Sequence, residues 1–174
     1  MDDGLKIDVA QRAAFVRRCL SVDLEVDPGN GRLYAIAAVR PDDNPAFVFK
    51  RGRLDDALGG LDRFAADAEF LLGHNVIRFD LPHLAAASGG TAAVLAKPPI
   101  DTLWLNPLAF PKNPYHRLVK HYHDGRLQAG HVNDPELDAR LVLEVLGDQL
   151  DAMGELQQRS SHLLTAYHWL TTSR

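Results

Sequence analysis

Four acidic side chains stand where the surrounding sequence calls for apolar ones. Asp23 and Glu25 lie two apart in the run CLSVDLEV, so on a strand they share one face while Leu24 takes the other. Asp80 follows the turn-like Gly73-His74-Asn75 and opens a helical pattern. Asp138 falls in the first turn of a helix announced by Asp134 and Pro135, between apolar Leu137 and Leu141. Carboxylates turned inward are expensive unless a cation neutralises them. Hard oxygen donors with no cysteine among them suit Mg2+ or Mn2+ rather than structural zinc. Two such ions about 3.5–4 Å apart activate a water and steady the leaving oxygen of a phosphodiester. Asp23, Glu25, Asp80 and Asp138 are therefore candidate metal ligands. Plainer readings stand beside this one: a solvated edge strand for the first pair, favourable charge at a helix start for the other two.

The elements that must position these acids follow from the rest of the chain. Its 174 residues are 46% hydrophobic and 24% charged, the size and balance of one folded domain rather than a disordered chain. The single cysteine, Cys19, excludes an intramolecular disulfide framework and fits a reducing compartment. The first ten residues lack the basic and apolar regions of a signal peptide. No uncharged apolar run approaches the roughly 20 residues of a membrane span. A net charge of −4 argues against an indiscriminate nucleic-acid coat protein. The expectation is a soluble, cytoplasmic, single-domain protein with no membrane association.

Asp8 is placed to cap a short helix over residues 9–17, and residues 19–26 read as a strand. The turn formers 27–31 lead into a second strand, 33–40, and a third follows at 47–50, an antiparallel meander. Residues 54–68 carry helical spacing, 70–73 a short buried strand, and 79–87 a helix with Pro82 in its first turn. Another short strand is expected at 100–103 and a helix near 115–122. The helix beginning at Pro135 runs past Leu146, and a last amphipathic segment covers 150–170. Trp104, Phe110 and the apolar stripe from Leu163 to Leu170 read most simply as core. Meander first, then alternating helices and strands, gives an α/β domain with a mixed sheet. Its core is expected at about residues 19–149, with 150–174 as a C-terminal helix.

The ordered set of motifs resembles the DEDD, or DnaQ-like, 3′–5′ exonuclease superfamily. Asp23-x-Glu25 looks like its first motif, and Gly73-His74-Asn75-Val76-Ile77-Arg78-Phe79-Asp80 like its second. Asp101-Thr102-Leu103 resembles a segment often found between the second and third, and Asp138-Ala139 the third. A closer likeness, carried by residues 107–120 and 132–135, is to the exonuclease-like domain preceding RecQ-type helicases in some bacterial proteins. The resemblance implies a ribonuclease H-like fold, with a mixed five-stranded sheet flanked by helices. It also implies two Mg2+ or Mn2+ ions on Asp23, Glu25, Asp80 and Asp138, and single-stranded 3′ ends, DNA rather than RNA, as substrate. A RecQ-type helicase, fused or separate, is the implied partner. No Gly-x-x-x-x-Gly-Lys-Ser/Thr loop occurs, so the chain carries no motor of its own.

One position departs from that pattern. The third motif normally carries a His five residues before its Asp, or a Tyr four before, to deprotonate the attacking water. Here those positions are Asn133 and Asp134, and Asn accepts no proton at neutral pH. His131, just upstream and preceded by Gly130, is the candidate general base, with His121 and His123 weaker ones. Leu24, Asn75 and Phe79, beside the motif acids, are candidates to touch substrate, and Asp101 reads as a structural hydrogen-bonding residue. Lys112, Arg117 and Lys120, interleaved with Tyr115 and Tyr122, form a candidate basic rim for phosphates. Its plainer reading is a polar connector. Two functions compete: an active metal-dependent 3′–5′ exonuclease releasing nucleoside 5′-monophosphates, or a weakened exonuclease-fold module that binds nucleic acid or docks to a helicase.

Overall fold

In the computed structural model, the description covers residues 9–41, 45–114 and 134–172, with 116, 118, 122, 123, 126 and 127. Helix α1 (Val9–Val16) precedes strands β1 (Cys19–Val26), β2 (Leu33–Val39) and β3 (Phe47–Phe49). Helix α2 (Leu54–Phe64), strand β4 (Phe70–Gly73), helix α3 (Asp80–Ser88), a 3-10 turn (Ala93–Ala96) and strand β5 (Pro99–Asp101) follow. Helix α4 (Thr102–Ala109), a small ribbon of β6 (Tyr122–His123) and β7 (Arg126–Leu127), and helices α5 (Pro135–Arg159) and α6 (Ser161–Thr172) complete the order. The main sheet runs β3-β2-β1-β4-β5, so β1 is central. β1 pairs antiparallel with β2 and parallel with β4, and β4 pairs parallel with β5. This is an open mixed α/β sheet flanked by helices.

Alternation along β1 divides the core. Leu20, Val22 and Leu24 face α2, α3 and the 3-10 turn, where they meet Ile36, Leu58, Leu61, Leu71, Leu84 and Val94. Each such fully buried aliphatic side chain contributes about 1.5–3 kcal/mol. Cys19 points to the other face, with Leu72, Val142 and Leu146 under α5. Asp23 and Glu25 share that second face by the same alternation, and their cross-strand partners are Ala37 and Ala35. Small neighbours leave space over the carboxylates.

Several expectations need correction. The strand expected at 100–103 ends at Asp101, whose carboxylate accepts the Leu103 N–H at 3.0 Å and so caps α4, a helix the sequence did not announce. Trp104, on α4, is 50% exposed rather than core. Tyr122 begins a strand and His116 and Leu118 lie in no helix, so the helix expected near 115–122 is not formed at those positions; the other residues of that segment lie outside the described residues. Helix α5 continues unbroken to Arg159 and the break falls at Ser160, not near residue 150. Leu163 and Trp169 of α6 are exposed, Trp169 by 65%, and among the described residues of the last stripe none is buried.

Candidate functional site

The carboxyl ends of β1, β4 and β5 meet at one edge of the sheet. Ligand sites of open α/β sheets sit beyond such ends, where neighbouring connections diverge. Glu25 lies near the end of β1, and Gly73 ends β4 with no room for a side chain. A Cβ there would stand 2.7 Å from the Val76 Cβ and 3.3 Å from the Val22 carbonyl oxygen. The chain therefore turns back at once, through Asn75 in the left-handed region at φ 69°, a conformation that Asn tolerates better than most residues.

Asp101, at the end of β5, fixes this loop. Its buried carboxylate accepts the N–H groups of Asn75 at 2.8 Å and Ile77 at 3.1 Å as well as that of Leu103. That is the structural role expected of it. His74 bonds Thr102 through Nδ1 at 2.9 Å, and the Thr102 hydroxyl donates to the Gly73 carbonyl at 3.2 Å. Burial, the largest influence, holds the His74 pKa below its ordinary value, so the ring serves as a neutral brace. Gln149 of α5 ties in the other side, donating to the Thr102 carbonyl at 2.8 Å and to Asn106 Oδ1 at 3.0 Å.

The loop delivers Asp80 to the first position of α3, where it is only 3% exposed. Its Oδ1 is buried with no hydrogen-bond partner. Burial pushes its pKa up to about 7, against the pull of backbone N–H groups at Asp80 and Leu24; the nearby charges of Asp101 and Glu25 raise it further. Asp80 and Glu25 are thus brought within electrostatic reach, with Asp80 against the backbone of Leu24. Leu24 itself is buried, its side chain in the core opposite the acids. Asp138 is 8% exposed in the first turn of α5, which packs across β1 and β2. Asp134 caps that helix, accepting the Glu136 N–H at 3.2 Å, as the sequence led us to expect.

Among the described residues, no three His, Cys, Asp or Glu side chains close tightly enough to hold one ion. Phe79, half-buried, packs its ring 4.6 Å from His83. Lys112 lines a cavity with Asp148, Asp151 and Glu155 between α4, α5 and α6, roughly 15–25 Å along α5 from Asp138 at 1.5 Å per residue. His131, Arg117, Lys120, Asn133 and His121 lie outside the described residues, as does the side chain of His123.

Tyr34 was not singled out by sequence. Glu25 pairs with Ala35 but Val26 pairs with Leu33, so Tyr34 is the extra residue of a β-bulge, a device that re-aims a side chain. Burial and then the nearby Glu25 carboxylate raise the pKa of its hydroxyl, which places Tyr34 close to that acid. Arg78, stacked 5.2 Å over the exposed Trp104 ring, also escaped the sequence reading. No protein-family model matches the chain, and a comparison with curated proteins finds no match. Among the described residues no helix is long and apolar enough to cross a membrane.

Proposed function

We propose that this chain is a metal-dependent 3′–5′ exonuclease with a ribonuclease H-like fold. The observation that carries the reading is Asp80: a buried carboxyl whose Oδ1 has no hydrogen-bond partner, beside Glu25 at the carboxyl end of the central strand. An oxygen kept dry and unpartnered fits a cation better than it fits a structural role. Asp23, Glu25, Asp80 and Asp138 would hold two Mg2+ or Mn2+ ions. When bound, the ions would activate water and neutralise charge at the leaving oxygen. Asp101 keeps the Asn75 loop in place, so Asp80 stays fixed against the Leu24 backbone. His131 would accept the proton of the attacking water. The substrate is single-stranded nucleic acid with a free 3′ end, DNA before RNA. A RecQ-type helicase would be the partner that exposes such ends, in the cytoplasm.

The alternative, a module that binds nucleic acid without cutting it, is favoured by one observation: Asn133 stands where the resemblance calls for a base. A 5′-labelled single-stranded oligonucleotide in Mn2+ separates the two. The expected result is a descending ladder that Asp80→Asn abolishes and His131→Ala slows by about 10²–10⁴-fold. Binding with no ladder in Mn2+ or Mg2+ would leave only the binding module.

A further inference from the structure

Between the start of β2, the end of β3 and helix α3 lies a cavity of about 490 Å³. Arg32, Lys50 and Arg51 line it together with Tyr34, Phe49 and His83, and among the described residues no acidic side chain does. Three cations on one wall are conspicuous in a chain of net charge −4. Arg32 and Arg51 are exposed and have no carboxylate partner among the described residues. Lys50 is only loosely paired, 3.8 Å from the Asp134 cap, and such an exposed contact contributes little.

The wall is built rather than incidental. Asp27 Oδ1 accepts the N–H groups of Gly29 and Asn30, and Asn30 Oδ1 accepts that of Arg32. The hairpin tip is therefore tied down, and Arg32 with it. Tyr34, 50% exposed, lines the cavity and also lies close enough to Glu25 for that carboxylate to raise its pKa. Tyr34 thus stands between the cavity and Glu25, with three cations and a second aromatic ring, Phe49, lining the cavity beside it. That combination is how proteins hold a single strand without reading its sequence, phosphates on basic side chains and bases on rings.

We propose that this cavity is the track for the single-stranded nucleic acid whose end enters the acidic site, phosphates on Arg32, Lys50 and Arg51 and bases on Tyr34 and Phe49. The occupant rests on the nuclease reading; the binding site is tested without hydrolysis. Anisotropy of a 5′-fluorescein oligothymidylate is titrated in EDTA at several salt concentrations. Arg32→Ala with Arg51→Ala loses roughly tenfold or more in affinity, and the log–log salt slope falls by about 1.4, two single-strand phosphate contacts. Arg40→Ala with Arg159→Ala, equal in charge and away from the cavity, leaves both unchanged. Equal losses in the two pairs, no loss in the first, or no binding by the wild type would each overturn the proposal. A Mn2+ ladder whose rate and KM ignore Arg32 and Arg51 would overturn it while the nuclease reading stands. Binding that needs them in a protein giving no ladder would uphold it while that reading falls.

Discussion

Without a cation, the Asp80 carboxyl keeps its proton until about pH 7, because burial penalises its charged form. In the unfolded chain it ionises near the ordinary 3.8. The folded state therefore binds the extra proton, and the stability this contributes is complete below about pH 4 and is lost as pH rises through about 7. In EDTA, melting temperatures of the wild type should fall across that window by more than those of Asp80→Asn, which has no such proton to lose. Equal slopes in the two proteins would show that Asp80 is not the group responsible. The sequence pointed to Asp80 because a carboxylate beside Phe79 and Leu81 contradicts its surroundings. Tyr34 gave no such signal: an aromatic on a strand is ordinary, and its contact with Glu25 depends on a register shift that only the paired strands reveal.

At the scale of the elements, the site depends on how sharply β4 passes into the Asn75 loop. Gly73→Ala would press a methyl against Val76, which is buried and β-branched, and near the Val22 carbonyl. Overpacking of this kind costs about 1–3 kcal/mol. Urea denaturation should show that cost, and a double-mutant cycle with Val76→Ala should show the pair less damaging than the sum of the two. Additive losses would mean the strain lies elsewhere. β1 was legible as an alternating run closed by Asp27-Pro28-Gly29, and β4 as a short apolar run ending at Gly73. α4 was not, because its start is a cap on Asp101, which reads as strand, and Pro107 discourages a helix. The joint between α5 and α6 was blurred for the opposite reason, since helical spacing continues across Ser160.

Across the whole molecule, the proposed metal site would make the fold a sensor of divalent cations. Binding to the native state alone stabilises by about 2.7 kcal/mol at a hundred times the dissociation constant. In a chain of this size that is roughly 5–10 °C of melting temperature. Saturating Mn2+ should raise the melting temperature of the wild type by that order and leave Asp80→Asn nearly unmoved. Identical curves with Mn2+ and with EDTA would remove the metal site. The mixed sheet itself was readable from the order of strands and helices. The basic cavity was not, because Arg32 and the Lys50-Arg51 pair come from different hairpin arms and become neighbours only when β2 and β3 fold onto one another.

The bulge at Tyr34 also sets what kind of change the hairpin tip can absorb. Surface turns ordinarily accept gained or lost residues more easily than the strands they join. Here one extra residue of β2 stands opposite the Glu25–Val26 step of β1. Removing Tyr34 would let the ladder close into regular pairing, Ala35 still opposite Glu25 and Leu33 still opposite Val26, so the flanking side chains keep their faces and the ring beside Glu25 is lost. What the bulge adds to the site is therefore the Tyr34 side chain itself, and the identity of that residue is under tighter constraint than the chain length around it.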